Sequence, residues 1–426
     1  MSLDLFELLA GVVSLAALLA YLNHRLLGLP TTIGVMIIGL GCSLALVALD
    51  ALGFGIGREA AAVVQQLEFG ETLMHGLLSF LLFAGALHVN LDDLLRQRWV
   101  IGTLATFGVL LSTALVGWLT WGLLGLLGLE LPFLYCLLFG ALIAPTDPIA
   151  VLALLKTLGA PKHLETQITG ESLFNDGVGV VVFTVLLSIV VGGHEPSAAH
   201  IALLFVEEAV GGILLGLAGG GLAYWLLKGV DDYQLEVLIT LALVMGGYAL
   251  AGALHLSGPL AMVVAGLLIG NQGRMLAMSA RTREHLDTFW ELVDEILNVV
   301  LFLLIGLELL VLERSGSYLL AALLVIPLVL LARLLSVGLP LQVLRRVTAA
   351  PRGTTRVLTW AGLRGGISVA LALSIPPGPQ RDLILGMTYC VVVFSIVVQG
   401  LTVAPLMRRL GLAPARSPAT GAGDRH

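Results

Sequence analysis

Charge is what this chain has least of. Only 12% of its 426 residues are Asp, Glu, Lys or Arg, about half the share of an ordinary soluble domain. Aromatic residues are also sparse at 6%. The three cysteines, Cys42, Cys136 and Cys390, all lie in apolar stretches. They have no metal-ligand spacing and offer no disulfide framework, so they read as small hydrophobes in packed or lipid-facing positions. No long basic run is present, which argues against a nucleic-acid partner. No HExxH zinc pair and no GxSxG serine elbow occur. A protease built on two intramembrane aspartates remains formally open, because Asp147 and Asp176 could mimic that pair.

What is there instead is apolar residue, 58% of the chain, with a mean hydropathy of +1.01. That much apolar surface exceeds what a water-soluble core can hide, so the chain reads as an all-α polytopic membrane protein. Cutting at polar, Pro-rich and Gly-rich breaks gives about thirteen spans of bilayer length. The first span has Asp4 and Glu7 in front and no small-residue cleavage site after it. It reads as a retained helix, not a signal peptide. Segment 54–70, short and mixed, reads as a connector. The tail 411–426, rich in Pro, Ala, Gly and Ser, reads as disordered.

Lys and Arg set the orientation. With the N-terminus outside, seventeen of the 22 basic residues fall in cytoplasmic loops or the tail and three on the opposite face. The two left over, Arg333 and Arg364, lie inside spans. A miscounted helix would scramble this segregation.

Two spans are interrupted. The fifth, 133–157, carries "APTDP" at 144–148, and the twelfth, 356–375, carries "GLRGG" at 362–366. They are seven apart and so cross in opposite directions, the pattern of an inverted repeat with two broken helices. Pro148 must break its helix, which frees carbonyls such as that of Thr146. Unwound backbone at this depth is tolerated only inside protein or beside water. Asp147 can cap the break locally, but a kink alone needs no carboxylate. Arg364 stays protonated and requires an anionic partner. Its central position in the span argues against snorkelling to the interface.

The segment "GESLFND", 170–176, holds the remaining candidates. Glu171 and Asn175 share one helical face, and Ser172 and Asp176 share another. Glu171 and Asp176 stand about 140° apart around the helix, so they cannot serve one partner. The separation predicts a structural carboxylate at Glu171 and a working one at Asp176, since intramembrane ionisable groups are functional by default. Ser172 can offer an oxygen beside Asp176. His88, Asn90, Asp92 and Asp93 read as a solvated rim. Asp287, Glu291, Asp294 and Glu295 suit the start of a helix, with Asn298 and Glu308 deeper, and all of these read as structural.

At "PTDP", "GESLFND" and "GLRGG" the chain resembles the monovalent cation:proton antiporters of the NhaP and sodium/proton exchanger branch. "GLPTTIGVMIIGL" (28–40) and "DEILNVVLFLLIGLEL" (294–309) are similar to that family too. The resemblance covers 5–410. It implies a transmembrane antiporter domain over 1–410, with core helices at about 100–192 and 317–407, and interface helices at about 5–90 and 198–312 forming a homodimer. It also implies two unwound helices that cross. Asp176 would bind the ion, with Ser172 and the Thr146 carbonyl as further Na+ ligands. Asp147 would be the acid at the crossing, and Asn175 the neighbour in the "ND" pair. Glu171 and Arg364 would form a buried ion pair. Many relatives carry an acid in the third helix where this chain has Ala84, so water or Asn90 would have to substitute.

The activity implied is exchange of Na+, also Li+, for H+ in a bacterial inner membrane, without a cofactor. A single working carboxylate points to electroneutral turnover. K+/H+ exchange is the nearest alternative and a cation channel a remote one.

Overall fold

The computed structural model describes residues 5–66, 76–192, 198–274, 278–311, 316–344 and 353–412, and every regular element among them is helical. Residues 413–426 of the predicted tail, and 71–75 of the third predicted span, lie outside the described residues. In chain order the helices are α1 (Leu5–Leu22), α2 (Thr31–Ala51), α3 (Ile56–Gln66), α4 (Leu78–Leu87), α5 (Leu91–Arg96) and α6 (Arg98–Leu126). Then come α7 (Phe133–Ile143), α8 (Ile149–Leu158), α9 (Lys162–Gly192), α10 (Ala198–Lys228), α11 (Tyr233–Ala253) and α12 (Gly258–Gly273). The last are α13 (Ala280–Glu308), α14 (Gly316–Leu344), α15 (Thr354–Ala361), α16 (Gly366–Leu373) and α17 (Pro379–Arg409).

Eight helices among the described residues are long and apolar enough to cross a membrane, and α4, α7 and α12 are shorter apolar helices. Both expected interruptions are present, so the fifth predicted span is the pair α7 and α8 and the twelfth is α15 and α16. The connector expected at 54–70 is a helix over Ile56–Gln66. Its short run hid three successive alanines and no proline, which favour a helix. Among the described residues, π-helical turns widen the ladder at 23–27, 104–108, 269–273 and 395–399. Such turns loosen main-chain bonding at places where side chains must intervene.

The apolar residues gather into two main clusters. One is built chiefly from α6 to α9 and α14 to α17, with Ile33, Met36 and the Leu301–Ile305 stretch joining it. The other comes chiefly from α4 and α10 to α13. The helix α9 contributes to both, through Ile168 and Phe183 to the first and Leu173 to the second. The candidate residues of 170–176 therefore lie on the helix that joins the two clusters.

Candidate ion-binding site

The site begins where two helices stop. Pro145 and Pro148 end α7 at Ile143, because neither can donate the next main-chain bond. Gly362, with ψ of 69°, ends α15 at Ala361. The two broken strands of backbone meet: the Asp147 N–H donates to the Leu363 carbonyl at 2.8 Å in an isolated antiparallel bridge. One main-chain bond thus joins the two interrupted spans. Asp147 Oδ1 accepts from the Ile149 N–H at 2.9 Å and caps α8. Its other oxygen lies against Gly365, where a Cβ would come within 2.4 Å of Asp147 Oδ2. Glycine at 365 is what lets the carboxylate approach the opposite backbone.

Arg364 does not meet a carboxylate directly. Its Nη1 donates to the carbonyls of Ala144 at 2.5 Å and Pro145 at 2.8 Å, the orphan acceptors at the end of α7. The negative end of the α7 dipole thereby supplies countercharge. The ion pair expected between Glu171 and Arg364 is corrected by the structure: Glu171 Oε1 accepts from Arg333 Nη1 of α14 at 2.6 Å. Arg333 also donates to the Leu358 carbonyl near the end of α15 at 3.3 Å. Each broken helix therefore ends on a guanidinium, α7 on Arg364 and α15 on Arg333. The resemblance carried Glu171 to the arginine inside the quoted motif, and sequence spacing could not bring Arg333 across from α14. Arg364 remains within electrostatic range of Glu171, Arg333 and Asp176.

A second device fills the gap in the twelfth span. In an unbroken helix the Arg364 N–H would donate to the Trp360 carbonyl. Here it donates to Ser395 Oγ at 2.9 Å; the Ser395 hydroxyl donates to Gln399 Oε1 at 2.7 Å; and Gln399 Nε2 donates to the Trp360 carbonyl at 3.1 Å. Three side-chain bonds stand in for one missing backbone bond. Both residues come from the π-helical turn of α17.

Thr146, Ser172 and Asn175 form a closed network. The Thr146 N–H donates to Asn175 Oδ1 at 3.2 Å, Asn175 Nδ2 donates to Thr146 Oγ1 at 2.8 Å, and Thr146 Oγ1 lies 3.0 Å from Ser172 Oγ. Asn175 and Ser172 thus hold the unwound backbone of the fifth span against α9. Asp176 points elsewhere. It is buried, and its Oδ1 has no hydrogen-bond partner. Thr146, Asp147 and Asp176 line one cavity of about 720 Å³, whereas Ser172 and Asn175 stand behind Thr146 and do not line it.

Ala84 lines the same cavity and brings only a methyl group. Asn90 does not replace the absent acid, since its side chain accepts from the Asp93 N–H and caps α5. The cavity wall also includes Glu291, Asp294, Glu295 and Asn298 of α13 and Ser368 of α16. Sequence reasoning assigned the α13 residues to structure and missed Ser368. The available signal was the spacing 291, 294/295, 298, a single stripe along one helix face. His88 lines the cavity as well, with Nε2 3.9 Å from Glu291 Oε1.

A crossing of two broken helices, cradling a buried carboxylate that has no fixed partner, is the setting of an ion carrier. The sodium/hydrogen exchanger transmembrane profile matches residues 13–409. The chain belongs to the sodium/hydrogen exchanger family. This exchanger is 53% identical over 411 residues to the Na(+)/H(+) antiporter NhaP of Pseudomonas aeruginosa, covering 95% of this chain and 97% of that one. It is 34% identical over 417 residues to the Na(+)/H(+) antiporter NhaH of Halobacillus dabanensis, covering 96% and 98%. The solved structure of the sodium proton antiporter MjNhaP1 from Methanocaldococcus jannaschii superposes on the exchanger with a TM-score of 0.73. That match has 20% identity and spans 94% of this chain and 97% of that one, so it speaks to the fold. The family is one of transporters, which removes the protease reading of Asp147 and Asp176.

Proposed function

We propose that the chain exchanges Na+, and also Li+, for H+ by alternating access, one for one and without net charge movement. The observation that carries this reading is Asp176: a buried carboxylate with an unpartnered oxygen on the wall of a cavity that also reaches Thr146 and Asp147. A bare charge at that position is expensive to carry across a low-dielectric barrier. A proton or a monovalent cation neutralises it. Loaded forms cross and the empty form does not, and that rule alone couples the two fluxes. Asp176 supplies the exchangeable charge, the Thr146 carbonyl and water supply neutral oxygens, and Ser172 and Asn175 position Thr146. Asp147 stays with the crossing, and Glu171 with Arg333 braces α9 against α14.

The substrates are the monovalent cation and protons. The bilayer is the bacterial plasma membrane, with the N-terminus outside and the C-terminus cytoplasmic, as the lysine and arginine distribution favours. On that orientation the cavity opens to the cytoplasm, because Glu165 and the exposed Glu291 lie at its mouth. In the same reading the helices of the first apolar cluster form the moving core, the others form the interface of a homodimer, and the physiological role is pH and sodium homeostasis. K+ is the less favoured substrate, given the names of the relatives. The test is dissipation of a pH gradient in everted vesicles on adding Na+, Li+, K+ or choline chloride. Wild-type protein is expected to respond to Na+ and Li+, and folded Asp176→Asn to none of them. Retained activity in Asp176→Asn sinks the reading.

A further inference from the structure

Asp176 is not the only buried polar group on the cavity wall without a partner. Asn298 of α13 is 1% exposed; its amide reaches only toward the Asp294 carboxylate, and its Oδ1 has no hydrogen-bond partner. Ser368 of α16 is also 1% exposed, with an unpartnered Oγ. All three line the same cavity. Buried polar side chains are satisfied in the great majority of cases, and each exception asks for an unseen partner. Three exceptions facing one space ask for the same one.

The packing sets the helices that carry Asn298 and Ser368 against each other along the wall of this cavity. Leu301, one turn beyond Asn298, packs so closely on α16 that a Cβ at Gly366 would come within 2.3 Å of Leu301 Cδ1. Ser368 lies two residues beyond that contact. One turn before Asn298 on the same face stands Asp294, whose carboxylate interacts with the Asn298 side chain and, electrostatically, with Asp147. Glu291, 70% exposed, marks the outer end of the stripe. The wall thus runs from an exposed carboxylate, past a half-buried one, to a buried amide and hydroxyl.

We propose that Asn298 Oδ1, Ser368 Oγ and the Asp294 carboxylate form a second monovalent-cation subsite, separate from Asp176 and lying between it and the cavity mouth. The proposal rests on the reading that the cavity admits such a cation. One carboxylate and two neutral oxygens suit a singly charged ion that keeps part of its water shell. Divalent calcium collects more oxygens than this, with several carboxylates among them. Ala84 brings only a methyl group to this cavity, whereas α13 and α16 bring side-chain oxygens. The amide NH2 of Asn298 can hold one of the ion's waters or the Asp294 carboxylate, so both ends of the side chain are used.

The experiment uses purified full-length protein and follows thermal unfolding against NaCl, with choline chloride holding ionic strength constant. Asp176→Asn removes the first site. This variant is expected to remain stabilised by Na+, with the half-maximal effect at roughly tenfold higher concentration. Asp176→Asn/Asn298→Ala and Asp176→Asn/Ser368→Ala are expected to lose the response. Two independent partners guard against a variant that fails to fold. Equal stabilisation of Asp176→Asn with and without Asn298 or Ser368 overturns the subsite, as does no Na+ response in Asp176→Asn. In vesicles, Ser368→Ala alone is expected to raise the apparent KM for Na+ severalfold with little change in maximal rate, and an unchanged KM also counts against the subsite. Failure of the exchange reading looks different: wild-type vesicles would then show no cation-driven proton flux, whatever the binding data.

Discussion

Replacing Arg333 with methionine tests the corrected ion pair. Glu171 is 1% exposed and Arg333 6%, and their 2.6 Å contact is shielded from water. Removing the arginine leaves a buried carboxylate with its charge uncompensated, a loss of about 3–5 kcal/mol. That is a factor of roughly 150 to 5,000 in the folded-to-unfolded ratio. Removing both charges, as Glu171→Leu with Arg333→Met, is expected to recover most of the loss, because apolar replacement of a buried pair is often neutral. Glu171→Leu alone strands the buried guanidinium at a similar loss, so the coupling energy in the double-mutant cycle should exceed about 3 kcal/mol, the upper end for contacting pairs. The same cycle with Arg364→Met in place of Arg333→Met should give a smaller coupling, since Arg364 donates to main-chain carbonyls. The assay is reversible unfolding of the purified protein by SDS in mixed micelles, with the amount of folded protein in the membrane as a second reading. Equal couplings for the two arginines, or a larger one for Arg364, would refute the assignment of Arg333 as the partner of Glu171.

The relay at the twelfth span makes its own forecast. Ser395→Ala and Gln399→Leu should each open the same bridge, so the double variant should lose little more activity than either single one, and Ser395→Thr should keep near-wild-type exchange. The readout is apparent KM for Na+ in vesicles, and additive losses would show that the two side chains act separately. Because proton and cation share Asp176 in the proposed cycle, the apparent KM for Na+ should rise as pH falls, by up to about tenfold per unit in the acidic limit. A KM that stays flat across two pH units would separate the two ligands.

The helical spans, both interruptions and the divergence of Glu171 from Asp176 were legible because each is a local pattern. Proline and glycine punctuate backbone, and a five-residue spacing fixes an angle. Arg333 was visible as a charge inside a span, but its partner was not, because helix spacing carries no information about contacts between α9 and α14. The bridge at Ser395 and Gln399 left only an i,i+4 pair of ordinary polar residues, and its meaning depends on a gap in another helix. Asn298 and Ser368 were hidden for a related reason. Their significance is a lack of partners, which only three dimensions reveal.

The bond between the Asp147 N–H and the Leu363 carbonyl belongs to no side chain. Alanine scanning would pass over both positions without touching it, since every residue but proline keeps the donor and every residue keeps the acceptor. The two interrupted spans are joined at a point that most substitutions leave intact. Variants around it can change what is carried while the joint persists. The carrier's geometry is thus insulated from much of the variation that would tune its selectivity.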